Sequence, residues 1–355
     1  MTVERPADAA VTERGGGRRE RRTGREKMMV PAAKPTSYYG HPVIKRPVWK
    51  WEIGAYFYAG GLAGGSMLLA AAARRQGRDT VARRALLTAL AGVSVSPVLL
   101  IRDLGMPRRF YNMLRVFKVT SPMSIGTWVL TGAGTCTGIA AGCDLLGILP
   151  RVRNGAELAA ATLGAPLATY TAALIADTSV PVWHEAAVEL PAVFASTSLA
   201  TAGAASMVLN GPAESATARA LAVGGAAASL ASVQVMEQRL GGLAQPYREK
   251  PWGTIAKSLN AAGALLTLAG GRRRAVAVAA GAAILAGGAF ERWSIFKAGA
   301  PSASDPAYTV NPQRERLERF EGYRQAEELG PSHDGVAPFA VPQGPRKPAP
   351  RGGVD

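Results

Sequence analysis

The sequence predicts an all-α fold, a polytopic transmembrane helical bundle of about eight spans with a polar tail at each end. Three observations carry that expectation. Apolar stretches follow one another at 53–73, 85–101, 122–143, 158–176, 190–209, 220–236, 258–271 and 275–290. They approach or reach the roughly 20 residues that cross a hydrocarbon layer. None contains Asp, Glu, Lys, Arg or His, so none offers the charged face of a soluble amphipathic helix. Arginine clusters or Pro-Gly turns bound each stretch, and many such helices in succession, each satisfying its own backbone, form a bundle in lipid. The whole-chain mean hydropathy is barely positive because polar tails, 1–50 and 291–355, dilute the apolar middle.

Taken in order, residues 1–50 come first, with 12 basic against 5 acidic groups. Their arginine run (Arg18, Arg19, Arg21, Arg22, Arg25) sits among Gly, Glu and Thr and reads as a disordered basic tail beside anionic headgroups. It lacks the basic patch with interleaved aromatics of a nucleic-acid-binding domain, so nucleic acid is not an expected partner; membrane lipid is. No short apolar segment with a small-residue cleavage site follows the arginines, so the first span is expected to insert directly and stay.

The first span carries two overlapping GxxxG pairs, Gly60–Gly64 and Gly61–Gly65, which read as a close helix-packing seam. At its entry Glu52, Tyr56 and Gly60 share one face at i, i+4, i+8, aligning a carboxylate and a phenol just inside one surface. Trp49, Trp51 and Tyr58 read as interfacial anchors. Five arginines, from Arg74 to Arg84, join the first two spans. The next connection, 102–121, holds five basic residues and one acid, with Phe110, Leu114 and Phe117 at i, i+4, i+7. It reads as a short amphipathic helix on the membrane surface.

Cys136 and Cys143, seven apart on the third span, read as buried, inert thiols; two thiols cannot hold an iron–sulfur cluster, and no metal site is expected. Later turns are marked by Pro150, Pro181, Pro212, Pro246 and Pro251. Residues 291–355 carry nine groups of each sign and close the chain as a polar tail.

Several segments are then familiar. The AGGLAGGS core of the first span resembles the NrfD/PsrC family, the membrane subunit of polysulfide reductase-like molybdoenzyme complexes. So does DLGMPRRFYNMLRVFKVTSPMSIGTWVL at 103–130, the specific match; SVPVWHEAAVELPAVF at 179–194 and AGAPSASDPAYTVNPQR at 298–314 are similar to further family segments. The resemblance implies an eight-span subunit that exchanges electrons between a membrane quinone, such as menaquinone, and a ferredoxin-like [4Fe–4S] partner docked on one face. Behind that partner it implies a soluble catalytic subunit with a molybdenum or tungsten pterin, for example a formate dehydrogenase-like one.

The residues add a point of their own. Bis-His haem needs intramembrane histidines, and His41, His184 and His333 all lie outside the apolar stretches, so no haem is expected. Quinone chemistry moves protons with electrons and needs acid, base or donor groups at a wet rim. The candidates are Glu52, Tyr56, Asp103, Arg108, Tyr111, Asn112, His184 and Glu185, although Asp103 and Arg108 could instead pair and fold their loop. A secondary transporter is the rival from another class; it would want ionisable groups at mid-membrane, whereas here charge is expected to stop at the rims. A passive anchor without a quinone site is the second rival. An even span count puts both termini on one side of the cell membrane. The cytoplasmic side is expected, since a strongly basic tail without a signal translocates poorly.

Overall fold

The structure is a computed structural model and describes residues 44–328, with side chains through residue 317. The arginine run of the N-terminal tail, His41, His333 and residues 329–355 lie outside the described residues. No strand occurs among the described residues, and the all-α bundle stands. Seven helical stretches are long and apolar enough to cross a membrane. They contain α1 (Trp51–Arg75), α2 (Asp79–Asp103), α4 (Pro122–Leu146), α5 (Pro150–Ala176), α7 (Leu190–Leu209), α8 (Ala216–Leu240) and α11 (Arg274–Ser304). An eighth long helix, α10 (Pro251–Gly270), packs between α8 and α11; Lys257 and Asn260 make it less apolar than the others. Short helices α3 (Phe110–Arg115), α6 (Pro181–Glu185) and α9 (Gln245–Arg248) sit in the connections. Beyond Pro306 a separate unit begins, containing the charged helix α12 (Ala307–Glu328).

Sequential neighbours pair as α1–α2, α4–α5, α7–α8 and α10–α11, and α1 also touches α5, α7 and α11. The glycines explain how α1 fits there. A Cβ at Gly64 would collide with the Gly164 carbonyl and Ala168 of α5, and one at Gly65 with the Ser198 carbonyl of α7. Small residues let backbones meet where lipid supplies no hydrophobic drive between helices, so the seam has its packing role. Local signals set the ends of other helices. Pro122 occupies the first turn of α4 and Ser121 accepts from Ser124 N, while Gly147 ends the helix at φ +67°. Arg274 donates to the carbonyls of Met207, Val208 and Asn210, satisfying the C-terminal end of α7.

Arg46 Nε donates to Ser304 Oγ, so the chain enters and leaves the bundle on one face, called the near face below. The connections α1–α2, α4–α5, α7–α8 and α10–α11 lie at the opposite, far face.

Three boundaries differ from the sequence reading, and each difference involves charge. Helix α4 continues through Asp144, and α5 begins at Pro150 and takes in Glu157. Both carboxylates are buried against arginines, which makes their burial tolerable. The last span does not stop at 290: α11 runs to Ser304 and carries Glu291 and Arg292 in its middle, both buried. The expectation that charge stops at the rims is therefore corrected. The predicted surface helix at 102–121 is shorter than its pattern suggests. A 3-10 turn at Pro107–Arg109 leads into α3, and the chain then leaves the helix, with Ser124 Oγ donating to Val116 O and accepting from Lys118 N.

Candidate functional site

The near-face end of α1 gathers three of the eight candidates. Lys50, just before the helix, donates its backbone N–H to Asp103 Oδ1 at 3.2 Å, tying the start of α1 to the end of α2. Glu52 follows one residue into α1, is buried, and lies within electrostatic reach of Asp103. One turn deeper Tyr56 is 1% exposed, its ring 6.4 Å from that of Tyr170 on α5. Glu52 Oε2 and Tyr56 Oη are both buried and make no hydrogen bond. Buried polar atoms are nearly always paired, so two unpaired ones, one turn apart on one face, call for a reason. The Cβ position of Gly60 lies 3.5 Å from the Tyr56 ring, so the same seam that packs α1 also supports the phenol.

The other five candidates lie around this point on the connections. Arg108 falls in the 3-10 turn and Tyr111 and Asn112 in α3, all exposed. The Asp103–Arg108 pair that the sequence allowed does not form; Asp103 is held by Lys50 N instead. His184 and Glu185 belong to α6; His184 is exposed, with Nδ1 3.1 Å from Ala176 O. The same short helix carries Trp183, which is fully buried, donates to Ile295 O at 2.8 Å and stacks on Trp49 at 5.6 Å. That tryptophan pins α6, the entry of α1 and α11 together and so fixes the floor beneath the rim.

Other buried carboxylates near the surfaces are paired. At the far face Arg74 binds Asp144 and Glu157, and Arg83 and Arg153 also reach Asp144. At the near face Glu189 is held by Arg239, and Glu237 by Arg248 and Lys257. Among the described residues no cationic side chain forms an ion pair with Glu52 or Asp103, and the Lys50 ammonium acts on Asp103 only through space. They combine burial with chemical availability, and beside them stands a phenol free to donate.

Sequence reading missed a second polar centre, at mid-bundle. Glu291 accepts from Ser229 Oγ at 2.5 Å, from Asn260 Nδ2 at 3.4 Å and from Thr197 Oγ1. Arg292, on another side of α11, donates to Phe194 O at 2.6 Å and Ser198 Oγ at 3.1 Å and stacks over the Phe194 ring. A signal for it existed. The uncharged stretch 275–290 is too short to cross by itself, so the helix had to continue through the charges.

The family model for polysulphide reductase, NrfD, matches residues 42–224, just over half of the chain. The chain belongs to the NrfD family. Among curated proteins no similar sequence is found. Membership, with the seven apolar helical stretches, makes this a multi-pass membrane protein of the kind that serves as a membrane subunit of molybdoenzyme complexes. The NrfD match covers all eight rim candidates and ends before Ser229, Asn260, Glu291 and Arg292.

Proposed function

We propose that this NrfD subunit is the quinone-reactive membrane partner of an iron–sulfur/molybdopterin oxidoreductase, passing electrons between a membrane quinone and a ferredoxin-like [4Fe–4S] subunit at the near face. The observation that carries the reading is the pair of buried, unpartnered polar atoms, Glu52 Oε2 and Tyr56 Oη, one turn apart beside Asp103. Their chemistry fits a quinone, which interconverts with quinol by taking up two electrons and two protons. The Tyr56 phenol donates to a carbonyl oxygen, and the Glu52 carboxyl holds or gives a proton beside it. Asp103, tied to the α1 entry by Lys50 N, is the second carboxyl within reach of the rim. Arg108, Tyr111 and Asn112 present the exposed basic and aromatic surface on which the iron–sulfur subunit docks. No haem or resident metal is needed for this route, and the near face is read as cytoplasmic.

Glu291 and Arg292 supply the mid-bundle charge that a secondary transporter would use. The cavity that reaches Glu291 has about 20 Å3, room for about one water.

Tyr56→Phe tests the site, because it keeps the ring and removes the donor. Quinone reduction by the assembled complex should fall about tenfold, the effect of losing a hydrogen bond of roughly 1.4 kcal/mol. Partner assembly and electron transfer to an artificial acceptor that bypasses quinone should stay normal. Unchanged quinone kinetics in both Tyr56→Phe and Glu52→Gln would remove these residues from the site.

A further inference from the structure

Four helices, α7, α8, α10 and α11, converge on Glu291 at mid-bundle. The side chains that bind it, Thr197, Ser229 and Asn260, are neutral, and Ser229 and Asn260 stand near the middle of their helices. Adjacent residues on a helix point about 100° apart, so Arg292 donates to Phe194 and Ser198 rather than to Glu291, although its buried guanidinium lies within electrostatic reach of the carboxyl. A carboxylate in such surroundings stays ionised only while a positive charge compensates it; otherwise it carries a proton. Asn260 Oδ1 is also buried without a hydrogen bond, leaving an acceptor idle at the same centre.

Access to this carboxyl is one-sided. The small cavity has Glu291 at its inner end and Ser294 and Tyr247 on its walls, and Glu237 and Lys257 line its near-face end. Lys257 Nζ and Glu237 Oε1 pair there at 2.6 Å, with the lysine side chain 35% exposed. Toward the far face the buried polar groups thin out to Thr201, Ser206 and Thr267 among packed alanines of α7, α8 and α11 with Ile284 and Met207. The groove at the far-face ends of α8 and α10, lined by Arg219, Gly224 and Thr267, does not include Glu291. The titratable or charged groups around Glu291 are accordingly few. They are Arg292 on α11, Glu237 on α8 with its partners Arg248 and Lys257, Tyr247 on α9, and Tyr58 of α1 near Gly288. From α7 only hydroxyls face it, Thr197 and Thr201, and α6 meets α11 through Trp183.

We propose that Glu291 is a proton-exchanging carboxyl that communicates with the near face alone, a blind proton well rather than a through-channel. A proton enters past the Glu237–Lys257 pair, crosses the water-sized cavity and binds a Glu291 oxygen; the return follows the same path. Thr197, Ser229 and Asn260 hold the carboxyl in place in both states. The well exists whether or not quinone binds at Glu52 and Tyr56, so failure of one reading leaves the other standing. The shared chemistry is a monovalent cation that neutralises Glu291. The proposal commits to the proton, the alternative being a sodium ion ringed by the same oxygens.

The test uses the full-length protein in sealed vesicles of known orientation. The reagent is N,N′-dicyclohexylcarbodiimide, which modifies protonated carboxyls in apolar surroundings, and mass spectrometry locates the adduct. Glu291 should be labelled, with labelling that rises as near-face pH falls and ignores far-face pH. Glu291→Gln should abolish the adduct. Ala256→Val, which narrows the cavity, should slow the response to near-face pH about tenfold while the protein remains folded. Labelling that follows far-face pH overturns the one-sided well. Protection by NaCl relative to choline chloride at fixed pH overturns the proton in favour of sodium. The absence both of labelling and of an infrared carboxyl band that shifts in D2O and is lost in Glu291→Gln overturns the exchange itself.

Discussion

The two ends of the α1–α2 pair bury the same kind of group and treat it in opposite ways. At the far face Asp144 and Glu157, each with a side chain only 2% exposed, are bound by Arg74, and Asp144 by Arg83 and Arg153 as well. At the near face Glu52 and Asp103 are comparably buried, yet among the described residues no cationic side chain forms an ion pair with them, and Tyr56 beside them has an idle hydroxyl. A buried charge that has found its counter-charge is structure, since removing either partner strands the other. A buried carboxyl kept without one is a standing cost, and such costs are retained where the group has chemistry to do. The far end of α1 locks helix ends together; its near end keeps Glu52 and Asp103 available, while Glu189 and Glu237 elsewhere on that face are paired.

The strongest way to break this contrast is to remove the far-face cation. Arg74→Met strands Glu157 in its buried position and leaves Asp144 to Arg83 and Arg153, and the solubilised protein should lose about 3–5 kcal/mol of stability in thermal or denaturant unfolding. A loss near zero would mean that the far-face network is ornamental. Next comes the near-face surface. Arg108→Glu with Arg109→Glu should release the iron–sulfur partner from membranes while the subunit stays inserted, measured by co-purification at physiological salt. Unchanged co-purification would leave the segment as a lipid contact, where each arginine contributes about 1 kcal/mol. A third variant sharpens the comparison directly. Glu52→Gln should change stability by no more than about 1 kcal/mol, because no ion pair is lost, while quinone turnover falls about tenfold. The smallest effect belongs to Lys50→Met. Asp103 accepts a hydrogen bond from the Lys50 backbone N–H, which the variant keeps, and the ammonium acts on it only through space, so unfolding should shift by less than about 0.5 kcal/mol.

Much of the fold was legible because lipid imposes strict rules on sequence. Uncharged stretches of spanning length, arginine-rich turns and the Gly60–Gly65 seam all appear where the structure has helices, connections and backbone contacts. The Glu52–Tyr56 alignment was legible too, since helical periodicity alone puts them on one face. What sequence could not reveal was pairing over long separations. Glu157 reads as a helix boundary until Arg74 is seen to reach it, and Glu291 reads as the end of a span until Thr197, Ser229 and Asn260 are seen around it. A charge looks like an interface when its partners lie on other helices. The amphipathic pattern at 102–121 misled in the opposite direction, because Phe117 leaves the helix to meet Trp128 edge-on.

The position of α1 has a consequence for how the protein is made. Helix α1 precedes the other six spans among the described residues and is, with α7, the most enclosed, with 72% of its apolar window buried, against 33% for α2, yet it is the least apolar of the seven. Its glycine seam fits against α5 and α7, neither of which exists when α1 reaches the translocon. During that interval α1 must rest in lipid with its glycine backbone and the Glu52 carboxyl uncovered, a poor candidate for independent insertion. Helix α2 follows after a three-residue turn and is the most apolar span, so the two are best suited to enter as a hairpin, with α2 supplying the partition energy. The enclosure of α1 then waits for synthesis to reach α7, whose first residue, Leu190, lies 115 residues beyond Arg75, and the early chain is exposed to quality control until then.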